Sequence, residues 1–261
     1  MANNSNIFVI SLKGSTQRRE NLKAHFNAIG MPFEWIDAVY GKELSDEEYR
    51  KLCDLDAINK NPTWLNRSAI GCALSHYNAF NEIISRNLPY AIIFEDDVII
   101  QKDFLRQVES IVPHLKKSEV VALFYQSWVP TALIKDSKDE VNHAHALYEL
   151  ADKRHVVSSA AYIITQEACK SMVKNLLPIR FTADSWGEFY KIGGFESLRC
   201  IYPRIVDVAD AKSTIEYMDN NWKSRITKWI DNYKVFPFYQ LLKRLRNRNR
   251  MKMMKVTFVS K

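Results

Sequence analysis

The chain reads as an α/β protein with a Rossmann-like mixed, mostly parallel sheet flanked by helices. Three observations predict this. Short apolar, β-rich runs alternate with stretches of helical periodicity, the pattern of βαβ units. The first elements, a strand over Asn6–Leu12, a helix ending near Ile29 and a strand over Phe33–Ile36, are spaced as one such unit. The apolar run Tyr90–Phe94 ends in three adjacent carboxylates, Glu95-Asp96-Asp97, and the C-terminal edge of an open α/β sheet is where ligands bind. The 261 residues are 47% hydrophobic and 26% charged, enough apolar side chain for a large core. Seven Gly and eight Pro leave no long low-complexity linker.

Taken in order, N-I-F-V-I-S-L at Asn6–Leu12 is a buried strand, Lys13-Gly14-Ser15 a turn, and Ser15 the expected N-cap of the next helix. Gly30 and Pro32 stop that helix. Arg18 and Arg19 sit in its first turns, either as solvated surface or placed to meet phosphates near the end of the first strand. Gly14 belongs to no G-x-G-x-x-G or Walker loop, so neither a dinucleotide site nor a P-loop is supported. Asp37-Ala38 follow the second strand. Ser45–Leu55 is a short helix with a capping box, Ser45 to Glu48, and Asn59–Arg67 is a polar, Pro-broken loop. Ser68–Ser85 has helical spacing of Ile70, Ala73, Leu74, Tyr77, Phe80 and Ile84. Its small residues Gly71, Cys72 and Ser75 allow another element to approach closely, and His76 beside them reads equally as a structural histidine or a substrate contact.

After Tyr90–Phe94, a helix is expected over Asp103–Leu115 and a buried strand over Val120–Tyr125. Ser127–Asp139 reads as a loop whose Trp128 and Pro130 shape a pocket rim. Ala144–Leu150 and Ser158–Thr165 are strands, and Gln166–Leu176 is an amphipathic helix. Asp184 is a second acidic site, unless it merely caps a helix running through Phe189. The run Glu95-Asp96-Asp97 invites a hard divalent cation with oxygen ligands, since three like charges at the end of a buried strand repel one another. Cys53, Cys72, Cys169 and Cys200 lack CxxC spacing, so reduced thiols are expected, not a zinc site or a disulfide framework.

Taken together, the segments I-F-V-I-S-L-(x5)-R-R, Ile70-Gly71-Cys72-Ala73-Leu74-Ser75-His76, Ile93-Phe94-Glu95-Asp96-Asp97, Ala160-Ala161-Tyr162-Ile163-Ile164 and Ala183-Asp184 resemble, over residues 6–205, glycosyltransferase family 25. Its members include bacterial lipooligosaccharide galactosyltransferases related to collagen galactosyltransferases. The resemblance implies a GT-A-like fold, a UDP-sugar donor (UDP-galactose being usual), Mn²⁺ or Mg²⁺, and inversion at the anomeric carbon. It places the metal on Asp97, with Glu95 in place of the first acid of a D-x-D, facing metal-bound water or ribose. It implies donor contacts from Ser11, Leu12, Arg18, Arg19, Ala38, Gly71, Ser75, His76, Glu95 and Asp96. It makes Asp184 the candidate general base, with Glu188 next. No His follows His155 to act as a late ligand, which leaves that position to Asp207, to Asp210 or to water. Other readings of the residues are a metal-dependent nuclease or phosphatase built on the same acids, and a nucleic-acid-binding protein built on the basic tail.

That tail is the remaining feature. Residues 220–261 hold 12 Lys/Arg against one acid, Asp231, a charge of +11, whereas residues 1–219 carry −4. The expected organisation is a catalytic domain, 1–219, and a basic, aromatic tail, 220–261, in which Leu241, Leu242 and Leu245 share one side of a helix. Such a helix lies on an anionic membrane surface. No specific nucleic acid is expected. With no apolar run of spanning length and no signal peptide pattern, the expected location is cytoplasmic, peripheral on the inner face of a bacterial inner membrane, beside a lipid-linked oligosaccharide acceptor. The tail is expected to be removable after about Tyr239.

Overall fold

The computed structural model describes residues 5–209 and 222–260. β1 (Ile7–Ser11), α1 (Thr16–Ala28) and β2 (Glu34–Asp37) make the expected unit, with β1 and β2 parallel and Ile10 opposite Ile36. Ser15 stands at the N-cap of α1, but its side chain makes no capping bond. α2 (Asp46–Leu52) carries the predicted capping box, with Ser45 accepting from the Glu48 backbone and Glu48 reaching back. α3 (Leu55–Lys60), capped by Asp54, precedes the long α4 (Arg67–Ser85). β3 (Tyr90–Glu95), β4 (Val98–Ile100), α5 (Phe104–Ile111) and β5 (Glu119–Ala122) follow.

The segment expected as a loop, Ser127–Asp139, is instead largely ordered: β6 (Gln126–Ser127), β7 (Thr131–Ile134), one 3₁₀ turn and β8 (Asp139–Glu140). Then come β9 (Ala146–Glu149), β10 (Val156–Val157), β11 (Ala161–Thr165), α6 (Gln166–Leu176), α7 (Trp186–Lys191), β12 (Ser197–Tyr202) and β13 (Val206–Val208). α8 (Trp222–Tyr233), α9 (Phe238–Met253) and β14 (Val256–Val259) complete the chain.

Eight strands form one sheet in the order β2-β1-β3-β11-β5-β12-β9-β8. β11 and β9 run antiparallel to their neighbours and the other six strands share one direction, so the sheet is mixed with most strands parallel, as the sequence predicts. Alternation along the strands divides the core between the two faces. Phe8, Ile10, Ala91 and Ile93 pack with Ile70, Phe80 and Met172 of α4 and α6. Ile7, Val9, Ile92 and Phe94 pack with Phe26, Phe104 and Val108 of α1 and α5.

Two local features fix the frame around the sheet edge. A Cβ on Gly71 would lie 2.5 Å from the Gly41 nitrogen and the Val39 carbonyl, so glycine is what admits the loop after β2 against α4. Ser75 secures it, accepting from the Val39 N–H (2.8 Å) and donating to the Gly71 carbonyl (2.6 Å). At the other side of the sheet, Arg199 on β12 donates to Glu119 on β5 (2.7 Å) and to Asp139 (2.7 Å), and both Arg199 and Glu119 are buried.

The tail is not a free appendage. β14 pairs in parallel with β7, Thr131 opposite Val256, and the Phe258 ring lies 5.2 Å from those of Tyr148 and Tyr202. Arg250 on α9 donates to Asp207 (2.6 Å). A cut after Tyr239 would therefore strip a strand from the body, which corrects the expectation of a removable tail. The boundary expected at 219/220 lies outside the described residues.

Candidate active site

The site is built at the C-terminal ends of β1 and β3. The three consecutive acids meet three different fates. Asp96 is turned inward: it accepts from the Ser11 hydroxyl (2.7 Å) and from Arg18 Nη1 (2.8 Å). Arg19 donates to the Ser11 carbonyl and to Asp37, both at 2.7 Å, and lies over the Trp35 ring. Arg19 and Lys13 hold Asp37 below the ordinary carboxylate range. The arginines expected on phosphates are thus engaged with carboxylates of the same sheet edge. The Leu12 carbonyl accepts from the Ser15 N–H, and the Ala38 N–H donates to the Ser11 carbonyl, so both residues shape the turns bordering the site. Gly71 and Ser75 hold the loop after β2, which is a scaffold role.

Glu95 accepts from the Ser159 hydroxyl (2.6 Å) and lies 3.6 Å from His76 Nε2. His76, buried on α4, shares its other ring nitrogen with the Tyr162 hydroxyl at 2.7 Å. Burial works to raise the Glu95 pKa, but His76, Ser159 and Arg18 outweigh it, and the carboxyl stays below its usual range. Asp97 is the opposite case. Its Oδ1 is buried with no hydrogen-bond partner. Burial first, then the charges of Glu95 and Asp96, push its pKa up to about 7. A buried carboxylate oxygen left without a donor, beside two further carboxylates, fits a hard cation with oxygen ligands.

Cys72 Sγ, a His76 nitrogen and a Glu95 oxygen also lie within 4.8 Å of one another. Burial and the charges of Glu95, Asp184 and Asp97 push the Cys72 thiol well up, so it enters the site as a neutral group. Among the described residues no second cluster of this kind exists to serve the two-metal chemistry of a nuclease. Asp207 is occupied by Arg250 and by the Val208 N–H, and is not presented as a ligand. Asp210 lies outside the described residues, although Ala209 before it donates to the Asp97 carbonyl (2.8 Å).

Asp184 does not cap α7. The N-cap is Ser185, and the Asp184 carboxylate accepts from the Thr182 hydroxyl (2.7 Å) and the Ser158 N–H (3.1 Å). Ser158 has φ +95°, a left-sided conformation that costs a non-glycine residue about 1–3 kcal/mol. The Trp186 indole holds its carbonyl (3.0 Å). Consecutive residues therefore bridge the two acids, Ser158 on Asp184 and Ser159 on Glu95.

A cavity of about 130 Å³ lies among Cys72, Glu95, Ser159 and Asp184. A cleft of about 490 Å³ shares Gln126, Thr182 and Asp184 with it and continues past Trp64, Trp128 and Arg180. Trp128 takes the rim position expected of it. Glu188 lines the cleft but is paired with Lys191 (2.6 Å). Sequence reasoning missed Ser159 and Thr182 as partners of the acids, Tyr162 as the partner of His76, and Trp64 and Arg180 as cleft residues. At Trp64 and Arg180 the one local signal is a large aromatic or cationic side chain outside the elements expected from the sequence.

The family model described as glycosyltransferase family 25 (LPS biosynthesis protein) matches residues 4–186. Over 168 residues the chain is 28% identical to the lipooligosaccharide biosynthesis protein lic2B of Haemophilus influenzae, covering 63% of this chain and 61% of that one. Over 165 residues it is 27% identical to the lacto-N-neotetraose biosynthesis glycosyltransferase LgtE of Neisseria meningitidis serogroup B, covering 62% and 57%. Over 122 residues it is 32% identical to procollagen galactosyltransferase 1-A of Xenopus laevis, covering 44% and 19%. In each case the chain spans less than two thirds of the relative's length. The family match takes in the sheet edge, the carboxylate turn and Asp184, and on that match this chain belongs to glycosyltransferase family 25.

Proposed function

We propose that this chain is an inverting, metal-dependent glycosyltransferase of GT-A-like fold. It moves a hexose, galactose from UDP-galactose, onto a lipooligosaccharide or lipopolysaccharide core acceptor. The observation that carries the reading is one juxtaposition: the unmatched Asp97 and the anchored Glu95 on one side of the Ser158-Ser159 bridge, and Asp184 at the mouth of a cleft on the other. The names of the relatives, drawn from lipooligosaccharide and lacto-N-neotetraose biosynthesis and from procollagen galactosylation, support the choice of reaction and sugar.

Asp97 and Glu95 are the residues that would hold Mn²⁺ or Mg²⁺, which supplies charge neutralisation to the departing diphosphate. Ser159 and His76 fix the Glu95 carboxylate. Arg18 keeps Asp96 neutralised, so that the edge presents two acids and not three. Asp184, oriented by Thr182 and Ser158, accepts the proton of the acceptor hydroxyl. The freed oxygen bonds to the anomeric carbon as the bond to the UDP oxygen breaks, and UDP leaves with the electron pair. A single base on the face opposite the leaving group gives inversion. A screen of UDP-hexoses with Mn²⁺, scored by UDP release, tests this: UDP-galactose should turn over and EDTA should stop it. Full turnover in EDTA would exclude the metal.

We further propose that α8 and α9 rest on an anionic membrane at the cytoplasmic face of a bacterial inner membrane, where a lipid-linked acceptor is presented. Trp229, Tyr233, Phe236, Phe238, Leu241 and Leu245 are exposed there, interleaved with Lys and Arg. Each cation near such a surface contributes on the order of 1 kcal/mol. No helix among the described residues is long and apolar enough to cross a membrane. Because β14 is part of the body, the test is point substitution. Replacing Trp229, Phe236 and Phe238 by Ser should abolish flotation with anionic liposomes, and salt should release the unmodified chain. Equal flotation would defeat the proposal.

A further inference from the structure

The larger cleft holds chemistry that proton transfer at Asp184 does not use. Trp64, on the loop before α4, and Trp128, after β6, come together from distant parts of the chain with ring centroids 6.4 Å apart, edge to face. They remain 50% and 70% exposed. Two large indoles lining one cleft, each half exposed or more, offer aromatic surface suited to the C–H face of a pyranose.

Beyond them lies Arg180. Its Nε is buried without a hydrogen-bond partner, and among the described residues its guanidinium makes no ion pair. The other charged groups of the cleft are matched. Arg154 donates to both Asp152 oxygens (3.0 and 2.6 Å), Glu188 pairs with Lys191, and Asp184 is held by Thr182 and Ser158. The backbone beside Arg180 is fixed, with the Ile179 N–H donating to the Leu52 carbonyl and the Ile179 carbonyl accepting from Asp54. A guanidinium with unfilled donor capacity, on a fixed backbone and lining a cleft, is matched by an anion and not by a neutral hydroxyl. The cleft lies beyond Asp184 from Glu95, and neither Asp96, Asp97 nor Arg18 lines it. That position assigns it to the acceptor side of the reaction.

We propose that this cleft is an acceptor subsite for a saccharide bearing an anionic group, phosphate or carboxylate, with the sugar on Trp64 and Trp128 and the anion on Arg180. The proposal rests on the reading of Asp184 as the base. The probes are galactose, galactose 6-phosphate and glucuronic acid, titrated into the full chain by ligand-observed NMR, with UDP titrated separately in Mn²⁺. The charged sugars should bind roughly tenfold tighter than galactose, the size of one charge-assisted hydrogen bond. The two charged probes distinguish phosphate from carboxylate. Arg180→Gln should erase that preference and leave UDP binding unchanged, while Arg180→Lys should keep part of it. Trp64→Ala and Trp128→Ala should weaken the charged and neutral sugars alike.

Equal binding of the three sugars by the unmodified chain overturns the proposal, and that comparison needs no variant to fold. So does a preference that survives Arg180→Gln, an affinity for UDP that falls with it, or tryptophan variants that bind all sugars normally. Loss of UDP binding by the unmodified chain would instead strike the donor reading and leave the sugar comparison standing.

Discussion

Replacing Asp97 by Asn should stabilise the metal-free protein at neutral pH and abolish its response to Mn²⁺. The Asp97 pKa is raised from 3.8 to about 7 by burial and by the neighbouring charges of Glu95 and Asp96. Between those values the folded state binds a proton that the unfolded state has released. Stability therefore falls as pH rises through the window, and the loss is complete above it. Each pH unit corresponds to about 1.4 kcal/mol, which sets a ceiling of about 4 kcal/mol for the cost of ionising Asp97. Asparagine removes the charge and keeps the shape. Carboxylates such as Asp37 and Asp139, whose pKa values are lowered in the fold, act in the opposite sense, so the difference between the two proteins is the quantity to read. Urea denaturation in EDTA from pH 4 to 8 measures it: the Asp97→Asn advantage should grow with pH and level off above about 7. Mn²⁺ should rescue the unmodified protein alone. Below pH 7 its affinity should fall about tenfold per pH unit, because binding displaces the Asp97 proton. A variant no more stable than the parent at pH 7.5 in EDTA would refute the reasoning.

Three other outcomes follow from the geometry. Asp184→Asn should lower kcat by roughly 10²–10⁴-fold with UDP affinity kept, the range for losing a general base; collapse of UDP binding would move Asp184 to the donor site. Gly71→Ala drives a methyl into backbone 2.5 Å away, so it should lower the melting temperature and disturb the loop after β2; a melting curve that overlays the parent's would show that α4 and the loop can separate at no cost. Arg199→Leu leaves Glu119 buried without its partner and should cost roughly 3–5 kcal/mol in chemical denaturation, so a change below about 1 kcal/mol would contradict the buried pairing.

Elements set by local pattern were legible in the sequence. The apolar run before Glu95 is β3, the helix over Gln166–Leu176 is placed to the residue, and the capping box of Ser45 and Glu48 is formed. Elements that depend on a distant partner were not. Thr131–Ile134 becomes a strand because Val256–Val259 lies beside it, and no window around residue 131 contains that information. The site divides in the same way. Glu95-Asp96-Asp97 announce themselves as residue types, but which acid is neutralised depends on Arg18, Ser11, Ser159 and His76, brought in from other elements. The arginine pair stayed open between surface and phosphate contact because its carboxylate partners, Asp37 and Asp96, are remote in sequence. The positive φ of Ser158, which joins Asp184 to the rest, has no signal in a pair of serines.

Asp97 and Glu95 are proposed to bind UDP-sugar through a divalent cation. Isothermal titration of UDP into the protein at pH 7.5, with Mn²⁺ and with EDTA, tests it directly in the parent and in Asp97→Asn. The parent should bind UDP only with Mn²⁺, and the variant should bind in neither condition. Equal binding by the parent in EDTA, or undiminished Mn²⁺-dependent binding by the variant, would contradict it.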